Sequence, residues 1–223
     1  MKRITVLLAD DHQIVREGFR SLLRHERDIE VVGEAATGRE AVQLTRKLRP
    51  AVVVMDIAMP LLNGLEATRQ IRKSFPDTRV LILSAHNDDV YVEQATVLGA
   101  AGFLLKQTSS HVLANGIREV QRGNPFFTSK PFPDRRKSVD RKGNFKKKCN
   151  RLSSREVEVL QLIAEGMPNK EVAAELGLSF KTVDKHRQHL MNKLDIHDAA
   201  GLTRYAIAQG IIESNVRGNI SSR

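Results

Sequence analysis

The chain has few cysteines and no long apolar segments, so it has little capacity for disulfides, cysteine-rich metal sites or membrane insertion. Its 223 residues include one cysteine, Cys149, which excludes an intrachain disulfide and a cysteine-rich metal site. No apolar run approaches the roughly 20 residues that a transmembrane helix requires. The N-terminus reaches acidic residues after one short apolar run, which is not typical of a signal peptide. We therefore expect a cytoplasmic globular protein with no membrane partner.

Positive charge is concentrated in one segment. The net charge is +10, yet residues 1–123 carry 17 basic and 15 acidic side chains, and residues 151–223 carry 10 and 9. Residues 124–150 carry 9 and 2, with three prolines and no periodic apolar pattern. This composition predicts a basic flexible linker. It fits a nucleic-acid partner and a merely solvated linker equally well. Three of its phenylalanines are expected to pack on a neighbouring domain: Phe126, Phe127 and Phe132.

Short apolar runs alternate with helical periodicity over residues 1–123. Each run is followed by a helical pattern, and the five runs are 4–9, 30–35, 52–56, 79–85 and 102–106. Five βα units predict an α/β fold with a doubly wound five-stranded parallel sheet, flavodoxin-like, in the order 2-1-3-4-5. In that order the carboxyl ends of strands 1 and 3 line the crevice where ligands bind.

Three carboxylates are expected to meet at that crevice. Asp10 and Asp11 follow strand 1, and Asp56 ends strand 3. Carboxylates this close repel one another, and a hard divalent cation, Mg²⁺ rather than zinc, would offset the repulsion. Asp56 would then act as a nucleophile that forms an acyl phosphate. Ser84 and Lys106 end strands 4 and 5 at the same edge, where they would contact phosphoryl oxygens.

From residue 151 the periodicity is helical only. Ser153 and Glu156 form a capping-box pattern at the start of the first helix. Gly177 separates two short helical patterns, which predicts a helix-turn-helix within a small all-α four-helix domain, residues 151–212. Residues 213–223 are expected to be a tail.

Several motifs in the first domain together resemble the receiver domain of bacterial two-component response regulators. They are Asp10-Asp11, the run DIAMPLLNG that begins at Asp56, Ser84-Ala85, and GFLLK at residues 102–106. The resemblance implies that Asp56 accepts a phosphoryl group from a sensor histidine kinase. It also implies a Mg²⁺ site formed by Asp10, Asp11, Asp56 and the backbone carbonyl of Ala58.

The resemblance further assigns roles on the last two strands. Ser84 and Lys106 would stabilise the phosphoryl group, and Phe103 would be a switch aromatic that rotates inward when Ser84 moves. Gln107 stands where many receivers have proline, which is a departure from their pattern.

Residues 151–212 resemble a LuxR-type DNA-binding domain through the pieces LSSREVEVL, NKEVA, GLS, KTV and KL. With the receiver, the chain is similar to the NarL/FixJ family of transcription regulators. The family's base-reading positions fall on Asp184, Lys185 and Gln188, and phosphate contacts are expected at Lys181, Thr182, Arg187 and His189. The implied partner is double-stranded DNA, bound by a homodimer. Leu202, Tyr205 and Ala206 on the last helix would form either a dimer face or part of the core.

The leading hypothesis is a phosphorylation-switched transcription regulator that is not an enzyme. A haloacid-dehalogenase-like phosphatase would need a second aspartate two residues after Asp56, where this chain has Ala58. A third hypothesis is a regulator that binds DNA without phosphorylation and uses its receiver only to dimerise.

Overall fold

The computed structural model describes residues 3–85, 89–127 and 152–212. The elements run in the order β1 Ile4–Ala9, α1 Gln13–Leu23, β2 Ile29–Ala35, α2 Gly38–Leu48, β3 Val52–Asp56, α3 Gly64–Ser74, β4 Arg79–Ser84, α4 Asp89–Val97, β5 Gly102–Leu105, α5 Ser110–Arg122, β6 Phe126–Phe127, α6 Ser154–Ala164, α7 Asn169–Leu176, α8 Phe180–Leu194 and α9 Ala199–Ala208. Most of the predicted linker and the whole predicted tail, residues 213–223, lie outside the described residues, as does Phe132.

The first domain is built on a parallel sheet with the strand order 2-1-3-4-5-6. The predicted order of the first five strands is confirmed. The central strand β3, Val52–Asp56, is buried along its whole length, as expected for a strand covered on both faces. Its neighbours β1 and β4 pair with it in parallel. The carboxyl ends of these three strands therefore lie side by side at one edge.

A sixth strand was not predicted. Gly123 ends α5 with a φ of +92°, and the chain then pairs Phe126–Phe127 with Gly102 and Phe103 of β5. Consecutive strand residues face opposite ways, so Phe126 packs on one core cluster and Phe127 on the other. These two phenylalanines do pack on the first domain, but as strand residues of its own sheet and not as linker residues. The sheet thus extends into the segment that we predicted to be linker.

Helices cover both faces of the sheet. The cluster on one face includes Ala41 of α2, Ile71 of α3 and Val92 of α4. The other face is covered by α1 and α5, through side chains such as Leu23 and Ile117. Two layers of helices around a parallel sheet bury the strands and leave the strand ends free to form a site.

Residues 152–212 contain four helices, as predicted for the second domain. The capping box at Ser153 and Glu156 is present at the start of α6. In α9, Leu202 and Ala206 are fully buried and Tyr205 is partly buried, all within the core of this domain. Leu202 and Ala206 therefore pack inward, in favour of the core alternative, whereas the partly exposed Tyr205 is compatible with both alternatives. Within the described ranges, no helix combines the length and the apolar character needed to cross a bilayer.

Candidate functional site

Three of the predicted site residues meet at the carboxyl edge of the sheet. Asp10 follows β1, Asp56 ends β3, and Lys106 follows β5. The Lys106 ammonium lies 2.8 Å from Asp10 Oδ2 and 2.8 Å from Asp56 Oδ2. The two carboxylates are almost completely buried, with only 3% of Asp56 exposed. One ammonium thus holds two buried carboxylates together at the strand ends.

Ser84 and Phe103 lie beside this cluster. Ser84 is buried at the end of β4, and its carbonyl oxygen accepts a hydrogen bond of 2.8 Å from the backbone N–H of Lys106. Phe103 is fully buried in the core that α2, α3 and α4 cover. Its ring therefore already occupies an inward position, and the rotation that we expected on activation stays a prediction.

The donor atoms around Asp56 fit a hard divalent cation. Oxygens of Asp10, Asp11 and Asp56 and a ring nitrogen of His12 all lie within 4.8 Å of one another. The three carboxylates lie together, and the Lys106 ammonium contacts only those of Asp10 and Asp56, so the cluster carries excess negative charge. Oxygen donors with this excess suit Mg²⁺. His12 is a neighbour that we did not predict: its Nδ1 lies 2.7 Å from Asp11 Oδ1.

Burial dominates the electrostatics of Asp56. Loss of solvent is the largest cause that raises the pKa of Asp56; Lys106 lowers this pKa and the charges of Asp10 and Asp11 raise it, and the net result is a pKa of about 7. Burial alone would lower the pKa of Lys106, but the nearby carboxylates of Asp56 and Asp10 raise it overall. The ammonium thus stays charged, and a cation bound beside Asp56 would favour the ionised carboxylate that a nucleophile needs.

The loop between β3 and α3, residues 57–63, turns tightly back on Asp56. The backbone N–H of Gly64 donates to the carbonyl oxygen of Ile57 over 2.8 Å. A Cβ at Gly64 would collide with the Asp56 carbonyl, so only glycine fits this approach. Leu61 adopts a φ of +68°, the left-handed conformation that costs a branched residue about 1 kcal/mol.

Helix α6 of the second domain is hydrogen-bonded to this same loop. The side chain of Gln161 is fully buried; its carbonyl oxygen accepts from the Asn63 N–H over 2.8 Å, and its amide donates to the Met59 carbonyl over 2.9 Å. Glu165 accepts from the Leu61 N–H over 3.1 Å. The Leu61 side chain packs against the core of the second domain. The loop that starts at Asp56 is therefore a docking surface for α6.

Charged and polar pairs extend this contact. Arg39 of α2 pairs with Glu158 and Glu175, with its Nε 3.1 Å from Glu175 Oε1. The Gln70 amide donates to Glu158 over 3.0 Å. On the α4 side, Gly210 lies so close to the Tyr91 ring that a Cβ there would collide with it. The second domain thus contacts α2, α3, α4 and the loop after Asp56.

Sequence reasoning missed this interface, although two residues carried a signal for it. Gln161 is a polar residue within the apolar run between Leu160 and Leu162, and a buried polar group requires a partner. Leu61 is a large aliphatic residue in a turn segment between proline and Asn63-Gly64.

Solvent reaches much of the predicted DNA-reading face of α8 in this docked arrangement. The exposed predicted contacts are Lys181, Lys185, Gln188 and His189, and the partly buried ones are Thr182, Asp184 and Arg187. Val183 and Leu190 of the same helix are fully buried in the core. Docking therefore leaves the side of α8 opposite the core open.

Asn169, at the start of α7, organises one flank of α8 and was not predicted. Its Oδ1 accepts from Arg187 over 2.9 Å, and its amide lies 3.4 Å from Asp184 Oδ1. The Gln188 amide donates to Asp184 Oδ2 over 3.3 Å. Two amides thus hold the Asp184 carboxylate in position on this flank of α8.

The fold and the site define a receiver domain followed by a LuxR-type helix-turn-helix domain. The family model of the response regulator receiver domain matches residues 6–118, and that of the bacterial regulatory proteins of the luxR family matches residues 150–206. The chain belongs to the NarL/FixJ family of two-component response regulators, which are DNA-binding transcription regulators.

Relatives match over nearly the whole chain. The oxygen regulatory protein NreC of Staphylococcus haemolyticus is 38% identical over 216 residues, which are 93% of this chain and 99% of that protein. A structure of the Salmonella typhimurium response regulator RcsB aligns with a TM-score of 0.60 and 29% identity, covering 94% of this chain and 99% of that one. A structure of two RcsB dimers bound to two parallel DNAs aligns with a TM-score of 0.54 and 29% identity, covering 92% and 98%.

Proposed function

We propose that Asp56 accepts a phosphoryl group and thereby controls DNA binding by the second domain. A carboxylate oxygen of Asp56 forms a bond to phosphorus as the P–N bond of a kinase phosphohistidine breaks, which leaves a neutral histidine and an acyl phosphate. Lys106 and Ser84 would contact the new phosphoryl oxygens, which the buried positions of Lys106 beside Asp56 and of Ser84 at the end of β4 support. Mg²⁺ held by Asp10, Asp11, Asp56 and the Ala58 carbonyl would offset the charge of that group.

One observation carries the proposal: α6 is hydrogen-bonded to the loop that begins at the phosphoacceptor. A phosphoryl group on Asp56 changes the charge and size of the residue next to Ile57. The backbone of residues 57–63 must respond, and Gln161 and Glu165 depend on the positions of that backbone. Phosphorylation would therefore weaken docking and shift the chain toward an undocked state.

Undocking would control DNA binding by allowing two chains to dimerise, and not by uncovering α8. Lys181, Lys185 and Gln188 are exposed while the domains are docked, so docking does not work by burying them. A fixed receiver instead restricts how two second domains can approach each other. The RcsB dimers bound to DNA support a homodimer as the DNA-binding form. The protein would act in the cytoplasm. A sensor histidine kinase would be the phosphoryl donor.

Acetyl phosphate with Mg²⁺ tests the chemistry, because it replaces the kinase. Intact-mass measurement should show one added phosphoryl group on the full chain and none on Asp56→Asn. Asp11→Asn is a matched variant that keeps Asp56, and it should require more Mg²⁺ for the same labelling. A labelled Asp56→Asn would contradict the assignment.

The same samples test the switch. Phosphorylation should increase the affinity of the full chain for DNA fragments selected from random sequence, and should shift the chain toward a dimer. Equal affinity with and without the phosphoryl group would favour the alternative regulator, in which the receiver serves only for dimerisation.

A further inference from the structure

Phe180 is an exposed aromatic side chain at the first position of α8. It is 57% exposed. Within residues 152–212, the only other large hydrophobic side chain that is exposed is Ile207, on α9. Phe180 is absent from the hydrophobic cluster of this domain, which Val183 and Leu190 of the same helix fill. The core therefore does not account for this aromatic residue.

Phe180 lies on the flank of α8 that the predicted base-reading residues share. Phe180, Asp184 and Gln188 follow one another at a spacing of four residues, which places them on adjoining turns of one side. The hydrogen bond from Gln188 to Asp184 shows that the second and third of these side chains meet. Phe180 is the first of the series, at the helix N-terminus, where a recognition helix contacts base edges.

The charges around Phe180 favour DNA as its partner. Lys181 is the next residue and Lys185 lies on the following turn, and both are exposed. Two ammonium groups suit DNA phosphates and would oppose a basic protein surface. The apolar group that the major groove offers is the C5 methyl of thymine, and phenylalanine is among the side chains that contact it.

We propose that Phe180 packs on the C5 methyl group of a thymine in the major groove and selects thymine at one position of each half-site. This inference rests on DNA reading by α8, and it adds an apolar contact to the polar contacts of Lys185 and Gln188. Phe180 would thus determine specificity without forming a hydrogen bond.

Deoxyuridine tests the contact, because it lacks only the methyl group of thymidine. DNA is first selected from random sequence with the phosphorylated full chain, and each thymine of the selected half-site is then replaced by deoxyuridine. Fluorescence anisotropy should show one thymine whose replacement weakens wild-type binding about fourfold, the value of one buried methyl group. Phe180→Ala should bind the thymine and deoxyuridine sites equally, and Phe180→Leu should show an intermediate ratio.

Val97→Ala, which changes an exposed apolar residue on α4, is the matched control and should keep the wild-type ratio. Wild-type binding that is insensitive to deoxyuridine at every position would overturn the inference. The same thymine-to-deoxyuridine ratio in Phe180→Ala and wild type would overturn it too, and would assign Phe180 to another surface. Failure to enrich any sequence would instead contradict DNA reading by the second domain, and this inference with it.

Discussion

At the scale of the residue, the protein contains a buried carboxylate that lowers its stability when ionised. Asp56 is buried beside Asp10 and Asp11, and the ammonium of Lys106 contacts two of the three carboxylates, those of Asp10 and Asp56. A buried group with this environment destabilises the fold whenever it is ionised without further compensation. The site is therefore expected to trade stability for reactivity, as functional sites commonly do.

The free energy of unfolding should fall as the pH rises, through Asp56. The carboxyl titrates at 3.8 in its ordinary state and at about 7 in the fold. Between these values the unfolded chain releases a proton that the folded chain keeps, so the stabilisation is present at low pH and is lost by about pH 7. With a chelator present, the loss should be roughly 2 kcal/mol between about pH 5.5 and about pH 8.

Asp56→Asn should lack this part of the pH dependence and should be the more stable protein at about pH 8. Denaturant unfolding of both proteins across the pH range measures the difference, since other titrating groups contribute to both. Addition of Mg²⁺ should restore stability to the wild type at high pH, and less so to Asp56→Asn. Parallel pH profiles for the two proteins would show that Asp56 does not carry the effect.

At the scale of the element, the loop at residues 57–63 directly follows the buried Asp56 and carries the docking contact with α6. Its Leu61 has a left-handed backbone, and its side chain packs on the second domain. The left-handed backbone lowers the stability of the receiver, whereas the apolar contact of the side chain stabilises only the docked state. Substitution separates the two contributions, because glycine removes both the strain and the contact, while alanine removes the contact and keeps the strain.

Leu61→Ala and Leu61→Gly should both weaken docking, because both remove the apolar contact. The expected loss is about 1 kcal/mol, or roughly fivefold in the docking equilibrium, for a side chain that is only partly buried. Hydrogen exchange of the Asn63 amide, which donates to Gln161, should accelerate in both variants.

Only Leu61→Gly should also raise the melting temperature of the receiver, since only glycine relieves the left-handed conformation. Unchanged exchange of the Asn63 amide in Leu61→Ala would show that Leu61 does not hold the domains together.

Local patterns in the sequence predicted most elements of the two domains but not all of them. The run from Val52 to Asp56 could be predicted because apolar residues ending in a carboxylate suit a buried parallel strand. The strand at Phe126–Phe127 could not, because it is two residues long, follows a glycine turn and is stabilised by partners distant in sequence. Short elements of this kind depend on tertiary packing rather than on periodicity.

At the scale of the whole molecule, the site within one domain was predictable and the contact between domains was not. The strand order brings Asp10, Asp56 and Lys106 together, and that order is one of the few that five βα units with right-handed crossovers allow. The docking of α6 depends instead on hydrogen bonds and ion pairs between the surfaces of the two domains. Gln161 and Arg39 each have partners in the other domain, which no pattern within one helix specifies.

Phosphorylation of Asp56 is proposed to release α6 from the loop at residues 57–63. Amide hydrogen exchange in the full chain, with Mg²⁺ and with or without acetyl phosphate, measures this release. The amides of Leu61 and Asn63 donate across the interface, whereas the Arg79 amide donates to the Ala51 carbonyl within the receiver, away from this loop, and serves as an internal control. We predict that phosphorylation accelerates exchange at Leu61 and Asn63, leaves Arg79 protected, and has no effect in Asp56→Asn. Full protection of Leu61 and Asn63 in the phosphorylated protein would contradict the account.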